Sequence, residues 1–334
     1  KTTPLRNGKY LTVMKNLLFL CLLLSTTAYA QYGGDGSFKI PTLNDVLPRE
    51  EMKYDPIIIS TDAGKSWQPL SAGLPDKSRA SAIAEGPRGD LWIGTDKEGI
   101  YHLPARTEEW QKRSAGLPAN ADLNSIAVRG ERLVAGTFRK GIYYSQDYGK
   151  TWRSPVFNVP NISVRALLFL TDSEVLAGTD DGLYYSTDGG ENCSLRTASA
   201  QINDLYLHAG TLYIARADGL YASQDCGETT GPAELNFAVG EVFANAQHLY
   251  VLPTGGDIFR RPLGTVNWEN KANKKSACMI VTDDLSVALW EKLHESHVSC
   301  GKFRPVSGLS NAVGFRRLLA TKRAWVAAVI PMGC

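Results

Sequence analysis

Short runs of apolar, β-branched and aromatic residues, joined in pairs by tight Gly-containing connections, recur along most of the chain. The copies are clearest at Asp90–Tyr101, Arg132–Tyr143 and Glu174–Tyr184, and weaker at Thr211–Tyr221 and His248–Phe259. Two apolar runs joined by a short turn are typical of a β-hairpin. The repeats show no 3.6-residue periodicity of an amphipathic helix. The pattern therefore predicts an all-β chain built from repeated hairpins.

An eight-residue pattern, Ser/Thr-x-Asp-x-Gly-x-Thr/Ser-Trp, accompanies the hairpins. It begins at residues 60, 103, 145, 186, 223, 261 and 296, so successive copies lie 35 to 43 residues apart. The copies at 60 and 145 are complete, those at 186 and 223 lack the final Trp, and the other three are degenerate. Repeats of this length, made of four short strands, are typical of a β-propeller, and the sequence predicts that fold.

Each repeat also shows an apolar opening strand. These strands are predicted at Ala80–Ala84, Leu123–Val128, Val164–Leu170, Ile202–Leu207, Val239–Ala244, Ala277–Val281 and Val313–Leu318. We therefore expect seven blades, with six or eight as alternatives if the weak octets at 261 and 296 are misassigned. The chain enters the ring with the third and fourth strands of a blade, near Ile57, and stops two strands into its last blade. Pairing of the N- and C-terminal strands in one blade is expected to close the ring.

The octet resembles the Asp box, or bacterial neuraminidase repeat, of sialidase-like propellers. In blade number, compactness and box pattern, the chain is most similar to photosystem II assembly-factor-like propellers and, more distantly, to sortilin-like ones. The resemblance implies that each box is a structural turn between the third and fourth strands of a blade. An Asp there can accept hydrogen bonds from backbone N–H groups, a Gly can adopt a positive φ, and a Trp can pack between blades.

The predicted structural residues of the boxes are Asp62, Gly64, Trp67, Asp147, Gly149, Trp152, Asp188, Gly190, Asp225 and Gly227. Catalytic or calcium-binding roles are disfavoured for these Asp residues because equivalent carboxylates recur in successive blades. A single active site needs unlike neighbours instead. We therefore expect the boxes to be scaffold.

The N-terminal region has the pattern of a secretory signal peptide. A short positive start at Met14 precedes an apolar run at Leu17–Leu24 and a small-residue cleavage site that ends at Ala30, before Gln31. The run is too short to span a bilayer, so we expect a secreted or periplasmic protein without a transmembrane anchor. The expected organisation is upstream residues and signal peptide at 1–30, an irregular lead-in at 31–53 and one propeller domain at 54–334.

Composition and charge exclude several classes of function. The 334 residues include 36 Lys+Arg, 34 Asp+Glu and 43% hydrophobic residues, which is typical of a soluble globular chain. The first thirty residues carry four cations and no acid, so the formal net charge of +2 becomes −2 after cleavage. A nucleic-acid partner is not expected because no basic field remains.

The placement of cysteines predicts neither a metal site nor a disulfide framework. Five cysteines follow the predicted signal peptide, an odd number, and no two of them form a Cys-x-x-Cys pair. They are Cys193, Cys226, Cys278, Cys300 and Cys334. Buried thiols are the expected state, and their pairing stays open. A Gly-rich phosphate loop, a nucleophile elbow and a His-Glu-x-x-His motif are missing from the sequence, so we expect no cofactor.

Charged side chains around the central channel are the candidate binding residues. First-strand starts and the short loops between second and third strands carry Arg79, Arg139, Arg165, Arg216, Arg316, Asp204 and Glu241. Arginines from several blades could converge on a carboxylate with bidentate geometry, or could form a solvated mixed-charge rim. Sialidases, which the chain resembles, hold sialic acid with three arginines and use a Tyr–Glu pair with an Asp. No such Tyr or acid can be assigned here, and Phe259–Pro262, which resembles their arginine motif, lies within the fifth hairpin.

The expected function is a secreted, non-catalytic, monomeric propeller that binds a protein or glycan partner through its loop face. The short loops leave little chain to wall off a substrate pocket. The alternative is a glycoside hydrolase, either exo-sialidase-like or similar to the xyloglucan-hydrolysing Asp-box propellers, which use two Asp residues. Fold analogy alone supports this alternative, so the sequence favours binding and does not name the partner.

Overall fold

The computed structural model describes residues 55–62, 66–76, 78–155, 161–254, 258–270, 278–281, 285–290, 292–297, 304–305, 313–321 and 323–331. Side chains are described as far as residue 270, and again at 316–321 and 323–329. The chain divides into two units, residues 1–52 and 53–334, and the described residues all belong to the second. The predicted signal peptide, its cleavage before Gln31 and the lead-in at 31–53 lie outside the described residues.

The described residues form 26 β-strands. In chain order they are β1 (Ile57–Ser60), β2 (Gln68–Pro69), β3 (Ala80–Glu85), β4 (Leu91–Thr95), β5 (Ile100–Leu103), β6 (Gln111–Lys112), β7 (Leu123–Arg129), β8 (Arg132–Thr137), β9 (Ile142–Ser145), β10 (Val164–Phe169), β11 (Val175–Thr179), β12 (Gly182–Ser186), β13 (Ser194–Ala198), β14 (Ile202–His208), β15 (Thr211–Arg216), β16 (Gly219–Ser223), β17 (Val239–Ala244), β18 (His248–Pro253), β19 (Phe259–Pro262), β20 (Glu269–Asn270), β21 (Cys278–Val281), β22 (Leu285–Trp290), β23 (Lys292–His297), β24 (Arg304–Pro305), β25 (Val313–Ala320) and β26 (Trp325–Pro331). Opening strands begin at the predicted residues, except that the sixth is described from Cys278, because residue 277 lies outside the described part.

These strands form antiparallel sheets of three or four strands each, which we call blades. Blade 1 is β3–β6, blade 2 β7–β9, blade 3 β10–β13, blade 4 β14–β16, blade 5 β17–β20, blade 6 β21–β24, and blade 7 β25-β26-β1-β2. The first strand of each blade contacts the first strand of the next, from β3 round to β25 and back to β3. Side chains are described in six of these sheets, and blade 6 is described by its backbone alone. The prediction of an all-β propeller is confirmed, and the number of sheets lies within the predicted range of six to eight.

Ring closure occurs by pairing of the two ends of the propeller, as the sequence predicts. Strand β1 pairs antiparallel with β26, with Ile57 opposite Ala328 and Ser60 opposite Trp325. The two ends therefore complete one blade between them, and neither β1 nor β26 is left as an open sheet edge.

The hydrophobic core lies between successive blades. One cluster joins Trp92 of blade 1 to Leu123, Leu133 and Trp152 of blade 2. The repeated Gly-Thr of the hairpins is explained by this packing, because a Cβ on Gly94 would lie 2.6 Å from the Cβ of Leu123. A glycine on the second strand thus lets the next blade approach closely, and the same arrangement recurs one and two blades further on.

A β-bulge interrupts the opening strand of blades 1 to 5 and of blade 7, where the pairing with the second strand shifts register. The shifts fall at Ser81, Asn124, Arg165, Asn203, Gly240 and Arg316. A bulge kinks its strand and re-aims side chains. It therefore changes which side chains of the opening strands point along the central channel.

We name the two faces of the ring by their connections. The loop face carries the loops between second and third strands and the links between blades. The turn face carries the turns between first and second strands and the Asp boxes. Complete boxes follow directly on third strands, since Ser60 ends β1 and Ser145 ends β9.

Candidate functional site

The Asp-box carboxylates are engaged inside their own turns. Asp147 accepts hydrogen bonds from the backbone N–H of Thr151 at 2.9 Å, from the Thr151 hydroxyl at 2.6 Å and from the Ser145 hydroxyl at 2.8 Å. Although burial opposes ionisation, these hydrogen bonds lower the pKa of Asp147 to about 2. Asp62, Asp188 and Asp225 accept the equivalent hydrogen bonds in their boxes.

The tryptophans that end the boxes tie successive blades together. The indole N–H of Trp110 donates to the Leu70 carbonyl at 2.6 Å, and that of Trp152 donates to the Arg113 carbonyl at 2.7 Å. Each bond crosses to the preceding blade. Trp67 is half-buried, and Gly64 lies outside the described residues.

The box glycines adopt left-handed backbone, and so does the residue before them. Gly149 has φ of 72° and Tyr148 has φ of 58°. The same pair of positive φ angles occurs in the boxes of blades 3 and 4. Only the glycine is predictable from the sequence, because unlike residue types occupy the preceding position.

A buried polar cluster fills the gap between blades 1 and 2. Asp90 Oδ2 accepts hydrogen bonds from the Trp92 indole at 2.9 Å and from the Tyr148 hydroxyl at 2.6 Å, and it lies 2.7 Å from His102 Nε2. Burial opposes ionisation of Asp90, but the hydrogen bonds from His102 and Tyr148 outweigh it and lower the pKa to about 2. No sequence motif marks this cluster, because Asp90 and Tyr148 are 58 residues apart and belong to different repeats.

The predicted arginines do not converge on one point. Arg316 pairs with Asp96 at 2.6 Å, Arg165 with Asp180 at 2.8 Å, and Arg216 with Asp218 at 2.7 Å. The first pair joins blades 7 and 1, the second lies in blade 3 and the third in blade 4. Three of the predicted guanidinium groups are thus held by carboxylates of the protein itself. Arg139, with φ of 58°, instead stacks over the neighbouring Phe138 ring at 5.1 Å.

Asp204 and Glu241 occupy equivalent positions on the opening strands of blades 4 and 5. Asp204 accepts hydrogen bonds from the backbone N–H groups of Val242, at 3.0 Å, and Leu205, at 2.9 Å. Burial, reinforced by the Glu241 carboxylate, raises the pKa of Asp204 to about 7 against the lowering effect of these backbone bonds.

A residue that the sequence analysis did not select, Arg317, crosses from blade 7 to this region. Its Nη1 lies 3.0 Å from Glu241 of blade 5, and its Nε donates to the Ser81 carbonyl of blade 1 at 2.9 Å. Strict strand alternation would send Arg316 and Arg317 to opposite sides. The bulge at Arg316 changes that alternation, so both side chains make contacts among the opening strands.

Two of the predicted arginines, Arg79 and Arg316, line one depression on the loop face, which we call the loop-face depression. Its volume is about 470 Å³, and its lining residues are Arg79, Asp96, Lys97, Asp122, Asn124, Phe138 and Arg316. Phe138 is 42% exposed, and Arg79 and Lys97 are exposed as well. The other predicted binding residues lie outside it.

A sialidase-like nucleophile pair is not assembled at this depression, whose lining contains neither a Tyr nor a Glu. A hydrogen bond from the Tyr185 hydroxyl to Glu174 occurs elsewhere, at the turn end of blade 3, with Arg196 over the Tyr185 ring at 4.0 Å. Within the described residues, no group of three or more His, Cys, Asp or Glu is placed to hold a metal ion.

Cys193 and Cys226 are free, half-buried thiols, and burial raises the pKa of Cys193 to about 12. Cys278 is described by its backbone alone, and Cys300 and Cys334 lie outside the described residues. The described part of the chain contains no helix that is long and apolar enough to cross a membrane.

Comparison with known proteins supports the repeat and the fold. The BNR/Asp-box repeat family model matches residues 143–154. An oligoxyloglucan-reducing end-specific xyloglucanase of Emericella nidulans is 34% identical over 110 residues, which cover 28% of this chain and 14% of that enzyme. The chain therefore spans only about a seventh of the length of this relative.

Two solved structures show the same fold at low sequence identity. YCF48 bound to D1 peptide is 15% identical with a TM-score of 0.64, covering 83% of this chain and 98% of that one. The extracellular domain of a hybrid two-component system from B. thetaiotaomicron is 16% identical with a TM-score of 0.63, covering 77% of this chain and 38% of that one. The chain is a β-propeller that carries a BNR/Asp-box repeat at residues 143–154 and shares its fold with these two structures.

Proposed function

We propose that this protein is a secreted or periplasmic, non-catalytic propeller that binds a protein or glycan partner through its loop face. The observation that carries the proposal is the loop-face depression. It presents exposed cationic groups and an exposed aromatic ring at the channel rim, in a shallow site shared by blades 7, 1 and 2.

The charges of the depression favour a ligand that carries an anion. Arg79, Lys97 and Arg316 supply three cations, against the carboxylates of Asp96 and Asp122. Arg316 is already paired with Asp96, whereas Arg79 has no ion pair among the described residues. An incoming carboxylate can therefore take both hydrogen bonds of the Arg79 guanidinium without displacing a described partner.

Phe138 adds an apolar wall to the same depression. Its ring is 42% exposed, so apolar surface is available to a ligand beside the cationic groups. Aromatic residues and arginine are both enriched at protein interfaces. We infer a ligand in which an anionic group lies next to an apolar or ring-shaped group.

The proteins of similar fold are compatible with this role. One is known bound to a peptide, and another is an extracellular domain. Their sequence identity of 15–16% carries fold only, so the partner proposal rests on the depression itself.

The test is to probe glycan and peptide arrays with the labelled full chain. We expect anionic ligands to be retained by the wild type, and the double variant Arg79→Ala/Lys97→Ala to bind them about tenfold more weakly, since hydrogen bonds to charged groups are lost. Arg153→Ala, which removes an exposed arginine outside the depression, serves as the matched control. Equal retention by the double variant and the wild type would contradict the proposal.

A glycoside hydrolase is the second candidate, because the Emericella nidulans relative is a xyloglucanase. Asp96 and Asp122 both line the depression, and their backbones pair across blades 1 and 2, so two carboxylates lie at one site. The Asp96 carboxylate is however already engaged by the Arg316 guanidinium and by the Ser81 hydroxyl. Glycoside turnover that Asp122→Asn abolishes would favour this candidate.

A further inference from the structure

The Asp boxes close the gaps between blades on the turn face. At the junction of blades 1 and 2, Gly149 packs so closely that a Cβ there would lie 2.5 Å from the Trp92 ring. At the junction of blades 2 and 3, a Cβ on Gly190 would lie 3.1 Å from Val134. Gly227 makes the equivalent contact between blades 3 and 4. A regular box therefore fills its junction.

The junction of blades 7 and 1 differs, because the octet Leu103–Trp110 has neither the Asp nor the Gly. Its turn is closed instead by Thr107, whose N–H and hydroxyl both donate to the Pro104 carbonyl, at 3.1 and 2.8 Å. Arg106 takes the left-handed position, with φ of 67°. A cleft of about 850 Å³ opens here, which we call the 7/1 cleft.

The floor of the 7/1 cleft is aliphatic. It includes Ile59, Leu70, Leu91, Leu103 and Val326. None of the described side chains that line it is aromatic, so it offers no platform on which a sugar ring could stack. Burial of aliphatic area of this kind is favourable for the apolar side chains of a protein segment.

Charged groups from both blades stand at the edges of the cleft. Arg106 comes from blade 1 and Arg323 from blade 7; both are exposed, and neither has an ion pair among the described residues. Asp55, Glu85 and Glu108 also line the cleft, so its own charge is mixed.

A second depression, of about 430 Å³, continues the cleft toward the channel. It is lined by Arg88, Arg129 and Arg323, which come from three successive blades, against the single carboxylate of Glu85. Glu85, Gly89 and Arg323 line both cavities, so the two form one continuous surface. The surface is aliphatic at its outer end and basic at its inner end.

The basic end can accept an external carboxylate. Arg88 and Arg129 contact Glu131 and Asp172 at 3.5 and 2.9 Å, but all four side chains are at least half exposed. Exposed ion pairs of this kind contribute little and exchange partners readily. Arg323, without a described ion pair, is the first group available to an incoming anion.

We propose that the 7/1 cleft and the adjoining arginine-lined depression form a docking surface for an extended segment of another protein in which aliphatic side chains adjoin carboxylates. The aliphatic side chains occupy the cleft that the missing box leaves open. The carboxylates meet Arg323, Arg88 and Arg129 at the inner end. This surface lies on the opposite face from the loop-face depression and does not depend on it.

The test uses labelled peptides and fluorescence anisotropy with the full chain. The probes are LSVSLDEE, its order-reversed form EEDLSVSL, and the charge-reversed control LSVSLKKK. In an Arg79→Glu background, which removes anion binding at the loop face, we expect at least one acidic peptide to bind saturably at one site. The lysine peptide should bind about tenfold more weakly, and added salt should weaken binding of the acidic peptide.

Three variants locate the site. Arg323→Glu is expected to weaken the acidic peptide about tenfold, and Ala72→Trp to block it by filling the cleft. Arg153→Glu, a charge reversal at an exposed position outside the cleft and both depressions, is the matched control in the same background and is expected to leave the affinity unchanged. Urea unfolding with the wild-type midpoint shows that each variant is folded.

Several results would overturn the proposal. These are no saturable binding of either acidic peptide, equal binding of the lysine peptide, or equal loss in Arg153→Glu and Arg323→Glu. Self-association of the chain that Arg323→Glu abolishes would assign the surface to a second copy instead. Because the Arg79→Glu background removes binding at the loop face, failure here is distinguishable from failure of the proposed function.

Discussion

Close packing of an Asp box against the preceding blade makes a quantitative prediction for Gly149→Ala. The new methyl group would lie 2.5 Å from the end of the Trp92 ring. Trp92 cannot swing away easily, because it is fully buried, its indole N–H is bound to Asp90, and its ring stacks on His102 with centroids 4.1 Å apart. The substitution therefore forces the two blades apart or strains the cluster.

The expected cost has two parts that a control variant separates. Alanine in left-handed backbone costs about 1–2 kcal/mol, and overpacking of a well-packed core costs about 1–3 kcal/mol more. Gly130 has a similar φ of 60° but open space around its position. Gly130→Ala should therefore lose only the first part, and Gly149→Ala should lose the sum, about 2–5 kcal/mol.

Urea unfolding monitored by tryptophan fluorescence measures both variants against the wild type. We expect the free energy of unfolding of Gly149→Ala to lie at least about 1 kcal/mol below that of Gly130→Ala. Equal losses in the two variants would refute the reasoning, because they would show that the box does not press on Trp92.

Two further predictions concern carboxylates whose pKa values move in opposite directions. Burial raises the pKa of Asp204 to about 7, above the usual value near 4 of an unfolded chain, so the folded state binds the extra proton and stability falls as pH rises from about 4 to about 7. Asp204→Asn should remove that fall, which urea midpoints at pH 4.5 and 8 would detect; an unchanged pH dependence would contradict it. Asp147→Ala should lower the free energy of unfolding by about 1–2 kcal/mol, because the N–H and hydroxyl of Thr151 lose their acceptor. Carboxyl NMR titration of the wild type should place the pKa of Asp147 near 2, and a value of 4 would mean that the box does not form as described.

The repeats were predictable because the same residue types make the same packing contacts in successive blades. The glycine at position 94 allows Leu123 to approach, and the equivalent glycines recur in the sequence at the same place in the hairpin. The serine and aspartate of each box bond within one turn, so their spacing along the chain is visible without knowledge of the fold. Local chemistry of this kind leaves a sequence pattern.

Contacts between non-equivalent residues of different blades were not predictable from the sequence. Arg317 reaches Glu241 and the Ser81 carbonyl only because a bulge at Arg316 changes the alternation of the strand. The Asp90–His102–Tyr148 cluster joins residues of different repeats that share no motif. The pairing of the candidate arginines with their own carboxylates likewise depends on geometry that neither residue type nor spacing specifies.

The central claim, that the loop face binds a ligand and does not hydrolyse it, is tested most directly by a search for product. The purified full chain would be incubated with xyloglucan oligosaccharides and with a fluorogenic sialoside, and the mixtures analysed by mass spectrometry and fluorescence. We predict that both substrates are recovered intact at the level of the buffer blank, for the wild type and for Asp122→Asn alike. Product formation by the wild type that Asp122→Asn abolishes would contradict the account.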